Sequence, residues 1–137
     1  MIPVKALSAE AFKQYGYIIE QKDASKVFEV LFGDKDAKGW RIGYLAMGPS
    51  PVESLEYHPE SLETFEPVSG TSVIIVAPFD RPDMMEAFLL DKPVCVGKKI
   101  WHGVSVLSAR AEIKITENYE VESVHHKLNK PIDIAFV

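Results

Sequence analysis

From Trp40 onward the chain is cut into short runs, "WRIGYLAM", "ESLEYH", "TSVIIVAP", "PVCVG", "KIWHGVSVL", "AEIKIT" and "YEVESV", separated by breaks that contain Gly, Pro or Asp. Runs this short, rich in β-branched and aromatic residues and bounded by turn formers, read as strands. Their spacing predicts an all-β sandwich or barrel. The prolines cluster at the run edges, where a missing N–H removes no ladder hydrogen bond. No repeat, low-complexity segment or linker divides the sequence, and 137 residues is close to the commonest single-domain size, so one domain over 1–137 is expected.

Two helical interruptions are expected in this β pattern. In "VKALSAEAFKQYGYIIE", Ser8 is a suitable N-cap, the next residues are mostly helix formers, and Gly16 stands where a C-cap would be, which predicts a short helix over 9–15. In "RPDMMEAFLL", Pro82 suits a first helical turn and Asp83 complements the helix N-terminus, which predicts a helix of about two turns near 82–90. Residues 18–36 read as a strand and hairpin. The tail "KPIDIAFV" alternates through Ile132, Ile134 and Phe136 and reads as a final strand, expected to pair across a dimer interface.

Charge and composition narrow the partners. A net charge of −5 provides no clustered positive field for nucleic acid or an anionic membrane surface, so a small molecule is the expected partner. The longest apolar run, Val73 to Pro78, is far shorter than the roughly 20 residues a membrane helix needs. With the single cysteine Cys95 no internal disulfide can form, and a cytoplasmic location is expected. Flanked by Val94 and Val96, Cys95 reads as a buried, inert thiol.

Chemistry concentrates in "YHPESLETFEPVSG", Tyr57 to Gly70. Alternate residues of a strand share a face, so Glu56 and His58 point the same way. Glu63 lies beyond a break at Pro59 to Ser61 that can change the strand's parity, so it too can turn inward, and Gly70 supplies the turn into "TSVIIVAP". Taken alone, this pattern also describes a solvated acidic hairpin. His125 and His126 are adjacent, so as strand residues they face opposite sides and cannot chelate together; they read as surface or interface residues.

The spacing from His58 to Glu63 to Gly70 is similar to the second half of the first cupin motif, with Glu56 where that motif begins with histidine. "KKIWHGVSVL" offers His102 as the histidine of the second motif, although Gly97, Lys99 and Val106 stand at its proline, glycine and asparagine positions. The ordered series "VKALSAEAFKQYGYIIE", "EYHPESLETFEPVSGTSVIIVAP", "PDMMEAF", "IWHG" and "NYEVES" resembles the ureidoglycolate lyase family of cupins, which cleave ureidoglycolate to glyoxylate and urea. The resemblance implies a double-stranded β-helix, that is, a cupin jelly-roll barrel, and a homodimer. It also implies a site lined by Glu56, His58 and His102, with Glu63 where the family usually has glutamine and Gly103 where it has a second histidine.

Two imidazoles and two carboxylates suit a divalent ion such as Mn, Zn, Fe or Ni, so Glu56, His58, Glu63 and His102 are the expected ligands. Glu56, Glu63 and His102 are also the expected catalytic residues, with either glutamate as the base. Lys98, Lys99 and Arg41 are expected to hold the substrate carboxylate, and Trp101 either packs a barrel wall or borders the pocket mouth. The leading expectation is a carbon–nitrogen lyase acting on a small ureido- or hydroxy-acid. The alternatives are a metal-dependent isomerase or lyase on a sugar acid, and a non-catalytic cupin that binds a small ligand.

Overall fold

The computed structural model describes residues 1–135. Its elements in chain order are β1 (Ile2–Lys5), α1 (Ala9–Phe12), β2 (Gly16–Ile18), β3 (Arg41–Met47), β4 (Val52–Tyr57), β5 (Glu63–Ser69) and β6 (Ser72–Ala77). There follow β7 (Glu86–Leu89), β8 (Val94–Val96), β9 (Trp101–Val106), β10 (Ala111–Glu117), β11 (Val124–Ile132) and β12 (Ile134–Ala135). A seven-stranded sheet in the order β11-β4-β9-β6-β7-β1-β12 faces a five-stranded sheet in the order β2-β8-β5-β10-β3. The result is a jelly-roll barrel, as the spacing of the runs predicts. No helix is long and apolar enough to cross a membrane among the described residues.

β6 explains the continuous apolar run "SVIIVA", because both of its faces are covered. Ile74 and Val76 join Phe65, Val94, Val96 and Ile113 in the core between the sheets. Val73, Ile75 and Ala77 face a second core with Leu55, Ala87 and Trp101. That second core exists because the seven-stranded sheet curls on itself. Its edge strands β11 and β12 are separated in the chain by Asp133 alone, with Ile132 paired to Val52 and Ile134 paired to Ile2. At about 3.8 Å per residue the two edges therefore come within roughly 8 Å of each other.

The terminal strand pairs in parallel with β1 of its own chain. Phe136, the last apolar position of that alternation, lies outside the described residues.

Helix α1 is shorter than expected. Ser8 caps it through Oγ, which accepts from Ala11 N at 3.1 Å, but the helix ends at Phe12 so that Phe12 and Tyr15 can both meet Phe88 in edge-to-face contacts. Gly16 is not a helix cap; it opens β2, and a Cβ there would stand 1.9 Å from the Cys95 carbonyl oxygen. The helix expected near 82–90 is a strand. β7 pairs with β6, and its neighbours Ala87 and Phe88 are buried in different cores, which period-two geometry allows and a helix in that place does not.

The hairpin expected over 18–36 is also absent: after Ile18 the chain is irregular as far as Trp40. Asp23 and Asp34 accept hydrogen bonds from the backbone two residues on, Ser25 N and Asp36 N, turning the chain locally where a ladder would need it straight. Gly70 takes φ +77 between β5 and β6, and a side chain there would meet the Arg110 carbonyl oxygen. It is the turn the sequence assigns to it.

Candidate metal centre

Three strands carry the site to one end of the core between the sheets. On β4, Glu56 pairs with His102 of β9, so the two side chains lie on the same face. His58 follows β4 at the right parity, and Glu63 opens β5 on the facing sheet. One ligand atom from each of Glu56, His58, Glu63 and His102 lies within 4.8 Å of all the others. The expected ligand set is thereby brought together, from segments as far apart in sequence as Glu56 and His102.

Glu63 Oε1 is the centre of this group, 2.8 Å from His58 Nε2 and 2.9 Å from His102 Nε2. Those are hydrogen-bond lengths, yet all three buried atoms lack a hydrogen-bond partner. Each imidazole is committed through its other nitrogen: His58 Nδ1 donates to the Glu122 carbonyl at 3.0 Å, and His102 Nδ1 donates to the Ile100 carbonyl at 2.9 Å. A carbonyl partner fixes the tautomer with the proton on Nδ1, so in a neutral ring Nε2 presents a lone pair. Two such lone pairs and a carboxylate oxygen converging in a buried space need a cation between them. The donor set, two imidazoles and two carboxylates, fits a divalent ion.

Without a metal, protons must take that role, and the electrostatics show it. Burial works against charge on His102, but Glu56 and Glu63 outweigh it and hold the imidazole up at about 10. Burial pushes the Glu63 carboxyl up, and His102 and His58 outweigh it, bringing it down to about 2. His58 is raised against its burial by Glu63, and Glu56 is lowered chiefly by His102. Side-chain exposure is 5% for His58, 7% for Glu63 and 4% for His102, while Glu56 is 36% exposed. Access to the cluster is therefore from the Glu56 side.

A fifth residue belongs here that the sequence reading does not include. Glu117 pairs with Glu63 across β10 and β5 and with Arg41 across β10 and β3, forming one row at the level of the cluster. Its Oε1 is 3.8 Å from His58 Nε2, and its Oε2 accepts from Arg41 Nε at 3.0 Å and forms an ion pair with Nη2 at 2.8 Å. Its parity is legible in "AEIKITE", where Ile113 and Ile115 point inward and Glu117 is next in the series.

The residues expected on the substrate side are placed differently from one another. Arg41 is beside the cluster but paired with Glu117. Lys98 pairs with Asp34 at 3.0 Å, and Lys99, at φ 62, holds its Nζ over the Phe79 ring. Trp101 is on the opposite face of β9 from His102, in the second core, with Nε1 donating to the Phe79 carbonyl at 2.9 Å. Gly103 faces that core too, and a Cβ there would be 3.2 Å from Leu55 Cδ2, so no side chain at 103 reaches the cluster. The run "YEVESV" forms no strand before Val124, because its backbone serves His58 through the Glu122 carbonyl. Cys95 is buried, and burial pushes its thiol up to about 12, as an inert core cysteine requires.

No family model matches this chain. No curated protein matches it either. Among solved structures, the WlaRB TDP-quinovose 3,4-ketoisomerase from Campylobacter jejuni is similar with a TM-score of 0.51 at 20% sequence identity, over 60% of this chain and 64% of that one. A serine-to-alanine mutant of Bacillus subtilis oxalate decarboxylase OxdC is similar with a TM-score of 0.47 at 14% identity, over 67% of this chain and 24% of that one. The matched region is thus less than two thirds of either protein's length. At these identities the likeness concerns architecture alone: the chain has the double-stranded β-helix fold of the cupins.

Proposed function

We propose that this protein is a metal-dependent cupin enzyme acting on a small hydroxy acid, with ureidoglycolate as the first substrate to test. The observation that carries the reading is the convergence of His58 Nε2, Glu63 Oε1 and His102 Nε2, buried and without hydrogen bonds, at 2.8 and 2.9 Å. When bound by these atoms and Glu56, a divalent ion supplies Lewis-acid polarisation of the substrate's hydroxyl and carbonyl oxygens. The Glu122 and Ile100 carbonyls keep both imidazoles aimed at that position.

Proton movement falls to a carboxylate outside the four ligands. Arg41 occupies Oε2 of Glu117 and leaves Oε1 on the side of the cluster. Glu117 Oε1 accepts the proton of the substrate's hydroxyl as the carbonyl of glyoxylate forms; the carbon–nitrogen bond breaks, and the same proton returns to the urea nitrogen. No water or oxidant is consumed.

A second reading, isomerisation of a sugar or sugar acid, uses the same carboxylate to carry a proton between neighbouring carbons. It is supported by the architecture shared with a ketoisomerase. The protein is proposed to work in the cytoplasm, where a fold whose one cysteine is buried and unpaired loses nothing to a reducing environment. A homodimer remains part of the proposal. Release of glyoxylate from ureidoglycolate by manganese- or zinc-loaded protein, abolished in His58→Ala and His102→Ala, tests the lyase reading. Absence of release with every metal, alongside turnover of a keto-sugar, replaces it with the isomerase.

A further inference from the structure

β11 brings two more side chains to the face of the sheet that carries the cluster. The register runs from His125 to Glu56 and from Glu56 to His102 without a break, and cross-strand partners share a face. Along β11, Val124 and Leu128 pack into the second core and His126 lies 5.6 Å from the Trp101 ring, ring centre to ring centre. His125 and Lys127 alternate with them, exposed on the other face, beside the partly open Glu56.

Neither side chain makes a hydrogen bond among the described residues, and the ion-pair contact of His125 with Glu56 is a long one. His125 Nε2 is 3.9 Å from Glu56 Oε2, beyond hydrogen-bond length. Among the described residues Lys127 has no ion-pair partner, whereas Arg41, Lys98, Lys92 and Lys114 each hold a carboxylate. The basic residues expected to meet a substrate are therefore engaged or aimed elsewhere, and these two are open at the accessible side of the site.

Charge balance gives them a role. The two positive charges of a divalent ion and that of Arg41 would be offset by the carboxylates of Glu56, Glu63 and Glu117. A filled centre is then close to neutral and offers an arriving carboxylate little net attraction. A further cation at the mouth changes that, since exposed charges steer and hold an anion where inner ones cancel. Strand spacing places the His125 backbone roughly 5 Å from that of Glu56 and about 10 Å from that of His102, so a small acid with its hydroxyl at the cluster can reach β11 with its carboxylate.

We propose that His125 and Lys127 form the carboxylate subsite of this centre, with the imidazole N–H and the ammonium group as donors. The inference rests on the reading of the centre as a metal site for a small hydroxy acid. It assigns substrate selection to β11, not to the loop that carries Lys98 and Lys99.

The test is calorimetric titration of the manganese-loaded full chain with glycolate and with glycolamide, its uncharged counterpart. Wild type is expected to bind glycolate more tightly. The double variant His125→Gln, Lys127→Met is expected to lose about tenfold in glycolate affinity, the scale of one exposed ammonium contact and one imidazole N–H hydrogen bond, and to keep glycolamide and manganese affinity within about twofold. Lys127→Glu is expected to lower glycolate affinity further than Lys127→Met does. Both positions are exposed, and an unchanged thermal midpoint verifies that the variants fold. Wild-type protein that takes up no manganese overturns the metal reading and this inference with it. Manganese uptake with the same glycolate affinity in wild type and double variant, or with equal losses for both probes, overturns the subsite alone.

Discussion

Nε2 of His102 stands 2.9 Å from Oε1 of Glu63, both atoms buried and neither with a hydrogen-bond partner. Such an arrangement is costly without a cation, so adding one should raise stability. With manganese or zinc at about a hundredfold excess over its dissociation constant, the native state gains about 2.7 kcal/mol. The thermal midpoint of metal-stripped protein should rise on addition of the ion, and His58→Ala should remove the rise by deleting one of the two aimed nitrogens. An equal rise in the variant would place the ion elsewhere.

In the proposed reaction Glu117 takes the proton while the four clustered residues hold the ion, and a substitution separates the two roles. Glu117→Gln keeps the shape and a hydrogen-bond acceptor for Arg41 while removing the proton-accepting carboxylate. Metal content is expected to stay at the wild-type value while the turnover number falls by about 10²- to 10⁴-fold, the usual worth of a positioned general base. Metal analysis and glyoxylate release measured on the same preparation decide the matter. Loss of the metal together with the activity would make Glu117 a ligand.

The titration of the metal-free cluster has opposite signs on its two sides. Glu63, at about 2 when folded against 4.5 for the free group, contributes stability that is present above about pH 4.5 and is lost as pH falls through 2. His102, at about 10 against 6.5, contributes stability that is full below about pH 6.5 and is lost as pH rises through 10. The difference in thermal midpoint between wild type and Glu63→Gln, measured in a chelator, should therefore be greatest between about pH 4.5 and 6.5. The same His102 shift means that metal binding near pH 7.5 displaces a proton from the ring, so its heat should depend on the ionisation enthalpy of the buffer.

The clustered residues are legible in the sequence because period-two parity is a local property: once "ESLEYH" and "KIWHGVSVL" are strands, Glu56 and His58 share a face, and His102 faces opposite to Trp101. What a single strand cannot disclose is which residue stands opposite on its neighbour. The Glu63, Glu117 and Arg41 row depends on the pairing of β5, β10 and β3, and the His125 and Glu56 pairing on that of β11 with β4. As adjacent strand residues His125 and His126 face opposite sides of β11 and cannot chelate together; what His125 alone stands beside follows only from the sheet order. β7 differs from its sequence expectation for a related reason. "RPDMMEAFLL" has good helix-start chemistry, and only the existence of two cores, one for Ala87 and one for Phe88, makes it a strand. Tertiary burial outweighed local preference there.

Gly103 gives the sharpest contrast between a site position and a neighbouring one. The resembled family carries a second histidine there, and Gly103→His tests whether position 103 can supply a ligand. In this fold residue 103 points away from the cluster: a Cβ would lie 3.2 Å from Leu55 Cδ2 and 3.4 Å from Val52 Cγ1, inside the second core. An imidazole in that place overpacks Leu55 and buries a polar ring without a partner, a combination that costs about 1–3 kcal/mol or more. Denaturant unfolding of the metal-free Gly103→His variant should show that loss. Its metal stoichiometry should equal that of wild type, because His58, Glu63 and His102 meet on the other face of the sheet. A stable variant with tighter metal binding would mean that β9 presents residue 103, and not only His102, to the centre.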